Sequence, residues 1–206
     1  MKFKILFLIT ALALSTAVAF AEKGRVGNGG FGRVCLDAEK QIVSATVLDV
    51  YEAQVESASS EDIVDADADR IYDRAYSRLK NVNKASAEEF QTKFAQLKTL
   101  ASAYPVDKSP DSKDIFTLVE AGQGCHFEQI FNFVNEKTMF VNGNVYRKMT
   151  EADHAILFIH ETIYWMARVH GGEENSNDVR PFVANLVMKK RQMKRIKAQA
   201  KNLGLN

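Results

Sequence analysis

The period of the apolar positions changes several times along this chain, and each change marks an element. Phe31 to Leu36 and Ile42 to Tyr51 are rich in Val, Ile and Leu around the polar Asp37-Ala38-Glu39-Lys40, which predicts a β-hairpin. From about Ser60 to Asn83 the spacing becomes 3 and 4, at Val64, Ala68, Ile71, Tyr72, Ala75 and Leu79, the stripe of an amphipathic helix. Ser86 with Glu89 three residues on predicts a capping box for a second helix, which carries Phe90, Phe94, Leu97, Ala101 and Tyr104 and stops at Pro105. After a polar connector, Ile115 to Val119, Cys125 to Val134 and Thr138 to Val141 read as strands able to join the hairpin in one sheet.

Thr150, supported by Asp153, opens the next helix, which is predicted to run to about Val169 and to end at Gly171-Gly172. Ile156, Ile159, Ile163 and Ala167 form one face, but Leu157, Phe158 and Trp165 lie elsewhere around the cylinder. A helix apolar on most sides is covered on most sides, so residues 150–169 are expected at the centre of the molecule. A last helix begins near Asn177 or Asp178, tolerates Pro181 in its first turn and continues through Leu186 into a basic tail. The expected fold class is α+β: a small, mainly antiparallel sheet covered by helices. Residues 22–188 would form one domain and residues 189–206 a basic, solvated helical tail.

The start of the chain carries an address. Lys2 and Lys4 precede the apolar run Ile5 to Leu14, and Ala19-Phe20-Ala21 supplies a small-x-small site before Glu22-Lys23. This predicts a signal peptide over residues 1–21, cleaved after Ala21, because the apolar run is about half of the roughly 20 residues that span a bilayer. The mature protein is then periplasmic or secreted. Two cysteines follow, Cys35 and Cys125, and an even count in an exported chain predicts that they pair.

Charge matters only in its distribution. Without residues 1–21 the chain has 25 basic against 26 acidic residues, a balance that names no partner. Yet Glu22 to Arg180 carries a net −8, whereas Pro181 to Asn206 holds seven basic residues and no acid. Such a tail suits an anionic membrane surface or another envelope partner, or folds back onto the acidic body, with a solvated, fraying helix as the expected state. An exported protein does not meet nucleic acid first.

Three patterns bear on chemistry. Gly27 to Val34 satisfies the kinase glycine-loop spacing, but the lysine, H-R-D and D-F-G that a kinase needs are missing. Asp65, Asp67 and Asp69 imitate the start of a calcium loop, with Arg70 where glycine is required. His160-Glu161-x-x-Tyr164 resembles the zincin H-E-x-x-H, in which two histidines hold zinc and the glutamate activates water. On that pattern His160 and Tyr164 would be zinc ligands and Glu161 the general base, with His154 and His170 as third ligands by residue type alone. The structural alternative pairs Glu161 with Arg168 or Arg180, and His160 with a backbone carbonyl or Ser176. Both bury Glu161; they differ in whether an open cavity touches it.

Gly27 to Cys35 ending in V-C, the G-C-x-x-x-Q-I segment Gly124 to Ile130, and H-E-x-x-Y followed by S-x-x-V-R, His160 to Tyr164 and Ser176 to Arg180, together resemble an uncharacterised family of exported bacterial proteins. That family has no assigned activity, so the resemblance implies export and supplies no catalytic residues. It marks His160, Glu161, Tyr164, Ser176 and Arg180 as a set. The expectation is therefore a non-catalytic envelope binding or interaction protein, with a divergent zincin-like hydrolase as the alternative.

Overall fold

The computed structural model describes residues 30–57, 64–103, 105–106, 119–135, 138–190 and 192–206. The predicted signal peptide lies outside the described residues. Strands β1 (Phe31–Leu36) and β2 (Ile42–Val47) form the expected antiparallel hairpin. The second strand was expected to reach Tyr51, but the chain turns helical at Leu48 and α1 runs over Leu48–Ser57. Val47 N–H donates to Asp153 Oδ1 at 3.0 Å, and Leu48, Asp49 and Val50 are all buried, whereas a strand with one wet face would expose every second residue.

Helix α2 (Ala68–Lys80) starts from Asp67, whose carboxylate accepts from the amides of Asp69 and Arg70. That cap, and the pairing of Asp65 with Arg74, separates the acids that imitate a calcium loop. Helix α3 (Lys84–Ala103) is capped by Asn83, which accepts from Ala85 N–H at 2.8 Å and Ser86 N–H at 3.3 Å. Ser86 is therefore inside the first turn instead of capping it, and its hydroxyl donates to Leu205 O at 3.0 Å.

Four more strands follow: β3 (Pro105–Val106), β4 (Cys125–Gln129), β5 (Phe131–Asn135) and β6 (Thr138–Asn142). They do not all join the hairpin. The order β2-β1-β4 makes one sheet and β3-β6-β5 a second, so the strand expected over Cys125 to Val134 is divided at Ile130. Gly30 O accepts from Ile130 N–H at 2.9 Å and Phe131 N–H at 3.2 Å, while Ile130 O accepts from Asn142 N–H at 2.8 Å. Buried Ile130 thus ties the two sheets together. The strand expected at Ile115 to Val119 lies, apart from Val119, outside the described residues. Cys35 and Cys125 face each other across the β1–β4 ladder and form the predicted disulfide, Cα to Cα 4.0 Å.

After the short α4 (Gly143–Tyr146), α5 (Glu151–Gly171) begins at a Thr150–Asp153 capping box. Every residue from Ala155 to Tyr164 is buried, because α5 packs against α2, α3, α6 and β2. Helix α6 (Val179–Val187) ends at Met188 instead of running into the tail. Its last carbonyls are taken by arginines of α2: Arg78 Nη1 reaches Asn185 O at 2.8 Å and Met188 O at 2.6 Å, and Arg74 Nη1 reaches Val187 O at 2.8 Å. Cations at a helix C-terminus satisfy its orphan acceptors and its dipole together.

The basic tail forms α7 (Met193–Asn202), and it is docked. Ile196, Ala200, Leu203 and Leu205 are at most 1% exposed, whereas Lys194, Arg195, Lys197 and Lys201 face solvent. The expectation of a solvated tail helix is corrected by these four apolar side chains, spaced to make one inward stripe. Gly204, at φ +70°, turns the chain so that its Cα sits against the His170 carbonyl, where a Cβ would come within 2.9 Å.

Candidate functional site

Mid-α5 places His160 and Glu161 side by side in the core, and the first turn of α1 brings Asp49 to them. Asp49 Oδ1 lies 2.7 Å from His160 Nδ1, with side-chain exposures of 0% and 1%. Burial pulls the His160 pKa down, but the charge and hydrogen bond of Asp49 outweigh it and hold the pKa above the ordinary histidine value. Burial pushes Glu161 up to about 7, against the opposing pull of His160 and of a hydrogen bond from Gly30.

That hydrogen bond explains one residue of the glycine run. Gly30 N–H donates to Glu161 Oε1 just before β1 begins. A Cβ at Gly30 would collide with Leu157 Cδ1 and come within 2.9 Å of Glu161 Oε1, so the backbone can approach the carboxylate only without a side chain. Asp49 Oδ2, His160 Nε2 and Glu161 Oε2 have no hydrogen-bond partner among the described residues.

A cavity of about 510 Å³ opens beside α1 and α6, and it touches this cluster at Asp49. Next to Asp49 the wall carries Glu52, whose Oε2 accepts from Arg180 Nε at 2.8 Å. Arg180 also reaches Ser176 Oγ at 3.3 Å and Asn177 Oδ1 at 3.2 Å. Burial raises the Glu52 pKa, and although Arg180 opposes this, Asp49 and Glu56 add to it, so the carboxyl stays above its usual range. Asp49, Glu52 and Glu56 stand at i, i+3 and i+7, a single face of α1. In sequence the strand-like composition of residues 42–51 overlaps the start of that row and masks its helical spacing.

The structure gathers only part of the predicted set. Arg180 lines the cavity and reaches the buried Ser176, but it pairs with Glu52 and not with Glu161. Arg168 is exposed and lies over the Tyr164 ring, 5.8 Å from its centroid, so it does not pair with Glu161 either. His160 pairs with Asp49, not with Ser176 or a carbonyl. Tyr164 donates its hydroxyl to Glu174 O at 3.2 Å, and its ring centroid is 6.3 Å from that of His160. His154 Nε2 lies 2.8 Å from Tyr146 O, and His170 is at the surface beside Glu89. Among the described residues no group of three His, Cys, Asp or Glu side chains is placed to hold a metal ion.

A carboxylate that orients an imidazole through Nδ1 leaves Nε2 free to act as a base, the arrangement used in acyl transfer. Here, however, Nε2 is sealed from solvent, and neither His160, Glu161 nor Tyr164 lines the cavity. A general base must come within hydrogen-bond reach of the proton that it takes. The groups that do face the cavity, a buried carboxylate and a carboxylate–guanidinium pair, suit recognition. No family model, no curated protein and no solved structure matches this chain.

Proposed function

We propose that this is an exported, non-catalytic binding protein of the cell envelope, which holds a small ligand in the cavity between α1 and α6. The observation that carries the reading is that the cavity reaches Asp49, Glu52 and Arg180 and stops short of His160 Nε2, Glu161 and Tyr164. Its volume is in the range of small-molecule sites. Export rests on the pattern of residues 1–21. The Cys35–Cys125 disulfide, and the lack among the described residues of a helix long and apolar enough to cross a membrane, are compatible with it.

The test uses mature protein exported to a periplasm and purified without a histidine tag or chelator. A thermal-shift panel of small acids, amines, sugars and divalent metals is expected to give a stabilising compound whose effect disappears in Ala53→Trp, which projects an indole into the cavity beside Asp49 and Glu52. Zinc content is expected to be equal in wild type and His160→Ala. Near-stoichiometric zinc lost in that variant would overturn the reading in favour of the hydrolase, and a panel without any cavity-dependent hit would overturn it as well.

The outward basic row of α7 favours a second element of the reading, contact with an anionic membrane surface. Truncation after Met188 would test it poorly, since it would strip Ile196, Ala200, Leu203 and Leu205 from the core. Neutralising Lys194, Lys197 and Lys201 to glutamine leaves that core intact. The triple variant is expected to lose most of its cosedimentation with phosphatidylglycerol vesicles, and wild-type binding to fade with salt. Equal binding by both proteins would remove α7 from the account.

A further inference from the structure

We infer that the cavity takes an aliphatic ammonium compound, with the charge beside Asp49, Glu52 and Glu56 and the alkyl chain along Ala53, Ala184 and Met188. This rests on the binding reading above and names its ligand class.

Charge is the first argument. Asp49, Glu52, Glu56 and Asp178 line the cavity against Arg180 and Arg195; Glu52 is engaged by Arg180 and one oxygen of Asp49 by His160, which leaves Glu56 and Asp178 against Arg195. The second argument is independent of the count. Asp49 is a fully buried side chain in the cavity wall, and its Oδ2 has no hydrogen-bond partner among the described residues. An unmet buried acceptor costs folding free energy that a donor from a ligand can return. An ammonium group brings three donors and a charge to such an oxygen, and a charge-assisted hydrogen bond is roughly twice as strong as a neutral one.

The shape of the site selects an organic cation over a bare ion. A cavity of about 510 Å³ is far larger than one metal with its ligands, and the described carboxylates do not converge as a metal requires. Ala53, Ala184 and Met188 offer apolar wall for a short alkyl chain, while Asn177, Asn185 and Gln192 can meet polar groups at its far end.

Calorimetric titration of the mature protein with 1-aminohexane and with hexanoate compares equal chains of opposite charge. The amine is expected to bind, more weakly as salt rises, and hexanoate to give no binding heat. Ala53→Trp should abolish amine binding; Glu56→Gln, an exposed and structurally mild change, should weaken it by about tenfold. Loss in Glu56→Gln keeps the inference testable if Ala53→Trp does not fold. Hexanoate binding that Ala53→Trp abolishes would overturn the ammonium assignment and leave the binding reading standing. Amine binding unchanged in both variants places the amine elsewhere and also overturns it. Absence of amine binding, beside a cavity-dependent hit of another class in the thermal-shift panel, overturns the assignment alone; absence of both overturns the two together.

Discussion

Replacing Asp49 by alanine is expected to lower folding stability by about 3 to 5 kcal/mol, because it leaves the imidazole of His160 buried without its counter-charge. Urea unfolding of the variant and of wild type at one pH measures the difference. Asp49→Asn keeps a hydrogen-bonding group and should lose less. Asp49→Leu combined with His160→Phe should recover most of the deficit, since apolar groups of similar size make no unmet demand. A single-variant loss under about 1 kcal/mol would mean that the pair is not ionised in the core. The neighbouring Glu161 gives the same cluster a pH signature. Its carboxyl titrates at about 7 in the folded chain against 4.5 as the ordinary value, so the folded state keeps a proton that the unfolded state has lost. Stability from this group is therefore greatest below pH 4.5 and falls as pH rises through about 7. The whole fall is on the order of 3 kcal/mol. His160 acts in the same direction: with its pKa raised, its contribution is present below pH 6.5 and is lost as pH climbs through the folded value. Glu161→Gln retains an acceptor for Gly30 N–H and should flatten the slope between pH 4.5 and 7. An unchanged slope would show that Glu161 is ionised throughout that range.

Removing the disulfide as Cys35→Ala with Cys125→Ala is expected to cost about 4 to 5 kcal/mol on the chain-entropy model. The two cysteines are 90 residues apart in sequence, and the bond closes that loop in the unfolded chain as well as the folded one. The folded state should survive with β1 and β4 still paired, because the ladder between Phe31 and Gln129 and between Val34 and His126 does not depend on the bridge. Denaturant midpoints of the double variant against the oxidised wild type measure this. A loss under about 1 kcal/mol would mean that the unfolded chain is already restricted without the bond.

The site and the fold were legible to different depths, and the residues show why. Burial of Glu161 was readable from α5, whose apolar residues leave no wet face between Ala155 and Tyr164. Its partner was not readable. Arg168 and Arg180 are the cations that follow Glu161 in sequence, yet Arg168 faces solvent and Arg180 is held by Glu52, whereas the groups that meet Glu161 and His160 are Gly30 and Asp49, 131 and 111 residues away. Asp49 was further hidden because Val43 to Val50 has the composition of a strand; the turn into α1 depends on Val47 N–H finding Asp153 on another element. The tail misled in the opposite sense. Its seven basic residues outnumber its apolar ones, but Ile196, Ala200, Leu203 and Leu205 share one stripe, and a stripe buries when a neighbour supplies the matching surface.

By itself the sequence determined those features that local chemistry decides. These are the β1–β2 hairpin around a polar turn, the start of α5 at Thr150 and Asp153, the central place of that helix, and the availability of two cysteines for one bond. Each depends on neighbours within a few residues, or on there being a single possible pair. Only the tertiary structure decided where β2 gives way to α1, that the strands form two sheets joined at Ile130, that α7 docks, and which groups meet Glu161 and His160. Those outcomes depend on residues distant in sequence competing for the same buried surface, donors and acceptors. Such a competition is settled by three-dimensional packing, to which spacing along the chain gives no access.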